Sequence, residues 1–141
     1  MTGDRTRVYV DENLPHQVAP ALMAAFRSTI FSSHKDEGLT GVLDLPLFEV
    51  LRKRKFNVIV TRDIAQSMTA AERDGLRAAG LHWVGVREPR SARGIHFHSA
   101  IVSAIAASVP VITRDVGAAP RAFFVQCEHL QWTNPIASEL L

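Results

Sequence analysis

The run Asn57-Val58-Ile59-Val60-Thr61 has no polar face, and that limits the folds open to this chain. A strand with one side in water alternates polar and apolar residues. A continuous β-branched run instead marks a strand buried on both sides, which means a parallel sheet covered by helices above and below. The flanking sequence agrees. Arg7-Val8-Tyr9-Val10 reads as a first strand ending at Asp11, residues 28–33 as a second, 81–86 as a fourth and 122–126 as the last. Between them the apolar period changes to that of helices. Asn13 is placed to cap a helix reaching about residue 27, with Pro15 in its first turn and Leu14, Val18, Leu22 and Phe26 on one face. Residues 34–41 read as a polar turn, and Asp44 opens the next helix, whose start its side chain is suited to cap. Thr69 and Glu72 form a capping box for a helix that Gly80 stops, and a last helix covers residues 95 to about 107. Strand and helix alternating at this spacing predict an α/β fold in three layers, α/β/α, with a central, mainly parallel sheet of four or five strands.

The 141 residues suit one domain, with a core over about 7–126 and a loosely held tail over about 134–141. A lone cysteine, Cys127, excludes an internal disulfide and a Cys-rich zinc site. The stretch from Ile95 to Thr113 contains two histidines, three serines and Pro110, and reads as too polar to span a bilayer. With no signal-peptide pattern at the start, the expectation is a cytoplasmic protein without a membrane partner. Val111-Ile112-Thr113-Arg114-Asp115 echoes the end of the third strand. It follows Ser108 and Pro110, a pair that favours restarting a helix, so Asp115 is expected on a helix and away from any site.

In open parallel sheets, ligands bind beyond the carboxyl ends of the strands. Asp11 follows the first strand, Asp63 follows the third, and Asp44 opens the helix leading into the third, so all three are expected at that edge. Crowded carboxylates persist with a cation or with raised pKa values, and oxygen donors of this kind favour Mg2+ or Mn2+ over zinc. Asp44 taken singly is an ordinary helix start and Asp63 an ordinary turn residue; it is the three together that point to a metal site.

Val8-Tyr9-Val10-Asp11-Glu12-Asn13-Leu14-Pro15, then Asp44-Leu45-Pro46-Leu47-Phe48-Glu49-Val50-Leu51, then Asn57-Val58-Ile59-Val60-Thr61-Arg62-Asp63 together resemble the PIN-like nuclease superfamily. The nearest branch has an Asp-Glu-Asn opening and a Thr-Arg-Asp third-strand ending, and is related to VapC-type toxins. The resemblance implies a Mg2+- or Mn2+-dependent ribonuclease, commonly the toxin of a toxin–antitoxin pair, with RNA as substrate and a cognate antitoxin or a second copy of the chain as partners. Asp11, Asp44 and Asp63 match the family's metal-binding acids. A fourth acid is usual on an intervening helix; Glu12 is the nearest substitute here, ahead of Glu72 and Asp74. The alternative is a catalytically degenerate PIN-like scaffold that binds RNA or a protein without cutting.

Arginine supplies thirteen of the sixteen basic residues, although the net charge is only +2. Arg62, Arg87, Arg90 and Arg93 follow strands three and four and are candidates for holding phosphates beside the acids, with Asn13 and His34 as further substrate contacts on that edge. Arg52-Lys53-Arg54-Lys55 precedes strand three, at the opposite edge, and reads as a solvated helix end. His96 and His98 point apart at a helix start, while His16, His82 and His129 belong to no constellation. A phosphate-accepting receiver domain also places acids after strands one and three, but it needs a lysine after strand five, and no lysine follows Lys55. A haloacid-type phosphatase needs a second aspartate where Asn13 stands.

Overall fold

The computed structural model describes residues 5–67, 69–90, 92–127 and 137–140. Five strands, β1 (Thr6–Val10), β2 (Thr29–Ser33), β3 (Val58–Thr61), β4 (His82–Arg87) and β5 (Ala122–Gln126), form one sheet in the order β2-β1-β3-β4-β5. Every pairing is parallel, so the α/β reading with a central parallel sheet of five strands holds. The helices are α1 (Val18–Ala25), α2 (His34–Glu37), α3 (Asp44–Lys53), α4 (Ala70–Ala79) and α5 (Ile95–Arg114), with a short 3-10 turn at Ile64–Ser67.

The sheet separates two apolar layers. On one face Val8, Val10, Val58, Val60, Val84 and Val86 meet Val18, Ala19 and Leu22 of α1 and Ile101, Ile105 and Ile112 of α5. On the other, Tyr9, Ile59 and Trp83 meet Leu47, Phe48 and Leu51 of α3 and Leu76 and Ala79 of α4. Successive side chains of a strand point to opposite faces, so one unbroken apolar run in β3 serves both layers. All four of its residues are buried. Each buried Leu or Phe on α3 is worth about 1.5–3 kcal/mol relative to exposure, which holds Asp44 at a fixed place on the helix start.

Several local expectations are corrected. The helix after β1 begins at Val18 rather than Asn13, and Gln17 at its start makes no side-chain capping bond. Asn13 is drawn instead to β3: its Oδ1 accepts from the Arg62 backbone N–H at 2.9 Å and its Nδ2 donates to Thr61 Oγ1 at 2.9 Å. A half-buried amide with a neighbouring strand end in reach satisfies more polar groups there than at a helix start. Residues 34–37 are a turn of helix, because Ser33 and Asp36 form a reciprocal capping box. Asp44 is the first helical residue of α3; Leu43 occupies the cap position, and no side-chain capping bond is made. The Thr69 cap and the Gly80 stop of α4 are as expected, Gly80 taking φ 67° in the left-handed region.

The last helix runs on to Arg114 through Pro110, with no restart at Ser108. Proline removes one backbone N–H, and the packing of Ile105, Val109 and Ile112 on the sheet carries the helix past it. Asp115 ends this helix, at the opposite edge from Asp11, and pairs with Arg121 at 3.7 Å. By length and composition α5 is apolar enough to cross a membrane, contrary to the sequence reading, since serine and histidine interrupt it without adding charge. Its apolar side is packed on the sheet. Of the expected tail, residues 137–140 are exposed and without regular structure; 134–136 and 141, like His129, lie outside the described residues.

Candidate active site

In this strand order β1 leads to the left and β3 onward to the right, so the switch in direction falls between β1 and β3. That is where a doubly wound sheet opens a crevice at its carboxyl edge. Asp11 sits on one lip and Asp63 on the other. The Asp11 N–H still pairs with Val60 O at 2.9 Å, which extends the ladder one residue beyond β1 and fixes Asp11 at the carboxyl edge of the sheet.

Asp11 is buried at 6% exposure, which is unusual for a carboxylate that has no cationic partner in hydrogen-bond reach among the described residues. Its Oδ1 accepts from the Glu12 backbone N–H at 2.9 Å and its Oδ2 from Thr61 Oγ1 at 2.9 Å. Burial pushes this carboxyl above the ordinary aspartate range. The bonds from Thr61 and the Glu12 N–H pull the other way, and the charges of Asp44 and Glu12 push it up again. Asp44, from the start of α3, is thus close enough for its charge to be felt at Asp11.

Thr61 is the hub of the site, and sequence reasoning gave it no role. Its side chain is fully buried. The single hydroxyl proton goes to Asp11, while the two lone pairs accept from Asn13 Nδ2 at 2.9 Å and from the Asp63 backbone N–H at 3.0 Å. One hydroxyl therefore ties together the ends of β1 and β3 and sets the turn on which Asp63 stands, exposed. The available signal was a hydroxyl residue closing a strand that is otherwise wholly apolar.

The other expected residues are less uniform. Glu12 is exposed, and its carboxylate accepts from the Gly41 backbone N–H at 2.8 Å, so it fastens the loop before α3. Glu37, not singled out from sequence, accepts from Ser32 Oγ at 2.7 Å and pairs with Arg54 at 3.3 Å. Tyr9 lies beneath this group; burial raises its hydroxyl pKa well above the usual value, and the charges of Asp11, Glu12 and Glu37 act in the same sense. His34, expected to face substrate, is buried with Nδ1 on Thr40 Oγ1 at 2.7 Å, which removes it from the open surface. His82 is likewise buried, between Val116 O and the Arg121 N–H.

Arg62 lies at this edge over the Phe97 ring, 5.6 Å from its centroid, with Glu88 at 3.5 Å. Arg87 ends β4 and is exposed. Arg90 and Arg93 line an open groove of about 740 Å³ with Glu88, Pro89 and Phe97. Among the described residues no three His, Cys, Asp or Glu side chains are gathered into a ready-made metal cage. What is present is a buried carboxylate, a second one near it and a third on the facing lip, all hard oxygen donors.

A family profile described as "PIN like domain" matches residues 6–87, more than half of the chain. The chain belongs to the PIN-like domain family. The match runs from β1 to the end of β4 and so includes Asp11, Asp44, Thr61 and Asp63. PIN-like domains are in general nucleases. No curated protein and no solved structure matches the chain significantly.

Proposed function

We propose that this PIN-like protein is a metal-dependent ribonuclease of the VapC-related kind, cytoplasmic, and the toxin of a toxin–antitoxin pair. The observation that carries the reading is Asp11: a carboxylate held buried at the switch point, beside the charge of Asp44, with its pKa raised. Burying an acid this way opposes its ionisation unless a cation stands beside it. Asp11 and Asp44 would hold Mg2+ or Mn2+, with Asp63 completing the site. Few carboxylates suffice for such an ion because it keeps several waters and accepts substrate phosphate oxygens. When bound, the ion lowers the pKa of a water and offsets charge on the phosphodiester. The protein's own part is positional. Thr61 holds Asp11 and the Asp63 turn in register, Asn13 braces the same two strand ends, and Arg90 and Arg93 bind phosphates of the RNA beside them.

A second reading, a PIN-like scaffold that binds RNA or a protein without cutting, is favoured by two features: the described acids are spread rather than clustered, and Glu12 is spent on Gly41. Cleavage of single-stranded RNA with Mn2+, with EDTA and by Asp63→Asn separates the two. The nuclease reading expects cleavage that needs metal and is lost in Asp63→Asn while RNA binding persists. Cleavage that survives EDTA and Asp63→Asn refutes the metal mechanism; no cleavage at all leaves the scaffold. An antitoxin or a second copy of the chain is the proposed protein partner.

A further inference from the structure

We propose that the groove at the amino edge of the sheet, opposite the carboxylates, binds backbone phosphates of a nucleic acid. The groove, about 370 Å³, is lined by Arg5, Thr6, Arg7, Lys55 and Asn57, with Ile30 and Val116 as its apolar part and Arg54 at its rim. Arg5 and Arg7 are not accounted for by a helix end, since they lie at the start of a strand. Lys55 is the left-handed residue, φ 62°, that closes α3, with its N–H on Arg52 O at 3.0 Å and the Phe56 N–H on Leu51 O at 2.9 Å, and this closure sets its side chain at the groove. Among the described residues no carboxylate pairs with Arg5, Arg7 or Lys55. Arg54 is different, since its guanidinium is taken by Glu37.

Arg7 is the best-formed element. Its guanidinium lies over the Phe56 ring, 4.7 Å from the centroid, and its backbone is clamped to Asn57 in both directions, N–H to Oδ1 at 2.8 Å and carbonyl from N–H at 2.9 Å. The Nε is sealed from solvent with no acceptor. A stacked, pre-oriented guanidinium loses little freedom on meeting a phosphate, which makes it a good anchor.

Phosphate suits the groove better than an acidic peptide does. Peptide interfaces depend on apolar anchors in desolvated pockets, and only Ile30 and Val116 offer such surface here. Arg7 stands roughly 13 Å along β1 from Asp11, so the groove lies apart from the carboxylates and holds RNA outside the crevice.

The test uses the whole protein in EDTA, so that it stands whether or not the nuclease reading does. Binding of a labelled single-stranded RNA is followed by anisotropy over a salt series, for wild type and for Arg5→Gln/Lys55→Asn. Asparagine tolerates the left-handed backbone, and both positions are exposed, so the variant is expected to melt with the wild type. The expected result is weaker binding with a salt slope shallower by about 1.4, since each single-strand phosphate contact contributes ~0.7. An unchanged affinity and slope overturns the proposal. So does polyglutamate displacing the RNA with the same sensitivity to the variant, which would mark an acidic protein partner. Binding of inorganic phosphate that is lost in the variant while RNA binding is unaffected also overturns it, in favour of a small phosphate ligand.

Discussion

Replacing Thr61 with valine keeps the volume and β-branching of a fully buried side chain and deletes only its hydroxyl. Three interactions go at once: the 2.9 Å bond donated to Asp11, the 2.9 Å bond accepted from Asn13 and the 3.0 Å bond accepted from the Asp63 N–H. A hydrogen bond to a charged group contributes about 1.5–3 kcal/mol and a neutral one about 0.5–1.5 kcal/mol. Asn13 and Asp63 lie near enough to the surface to recover some bonding from water, whereas Asp11 does not. The expected destabilisation is therefore ~2–4 kcal/mol, set mainly by the Asp11 bond. Urea unfolding at pH 7 in EDTA measures it as a lower midpoint with an unchanged slope. The hydroxyl also lowers the Asp11 pKa, so the variant is expected to bind Mn2+ more weakly as the pH falls, with a steeper pH dependence than wild type. A loss below about 0.5 kcal/mol, the range of an ordinary surface substitution, would refute the view of Thr61 as the hub of the site.

The raised pKa of Asp11 fixes a sign for the pH dependence of stability. The folded state holds this proton more tightly than the unfolded chain, so the stability it contributes is full below about pH 4 and is lost as pH rises through the raised native value. In metal-free buffer, Asp11→Asn is expected to flatten that part of the curve; a curve parallel to wild type would contradict the shift. Mn2+ at ten times its Kd is expected to add about 1.4 kcal/mol to wild type by mass action and less to Asp11→Asn, and equal gains in a thermal melt would show that Asp11 is not a ligand. Gly85→Ala places a Cβ 2.8 Å from Ile64 Cδ1 and closer still to the Trp83 ring, so a loss of about 1–3 kcal/mol is expected by overpacking, and a neutral result in urea would mean the ring yields freely. Arg90→Ala is expected to weaken RNA binding and reduce its salt slope; binding with an unaltered slope would remove Arg90 from the phosphate contacts.

Much of the architecture was legible in the sequence because the period of apolar residues is a local property. The wholly apolar β3 announced a covered parallel sheet, Thr69 and Gly80 bounded α4, and the positions of Asp11 and Asp63 directly after strands placed them at the carboxyl edge. Packing overrode local signals elsewhere. Pro110 predicts a break, yet the face presented by Ile105, Val109 and Ile112 finds the sheet, and the helix continues. Asn13 is a good cap in isolation, but parallel pairing of β1 with β3 brings Thr61 and Arg62 within its reach, and a bond between residues 48 or 49 positions apart leaves no mark in a local pattern. The same holds for the strand order, which sets the crevice between β1 and β3, and for the burial that raises Asp11. Residue types and their periods decide which elements form; only the tertiary contacts decide which polar groups meet, and in this protein those contacts turn Thr61 into the support for two acids.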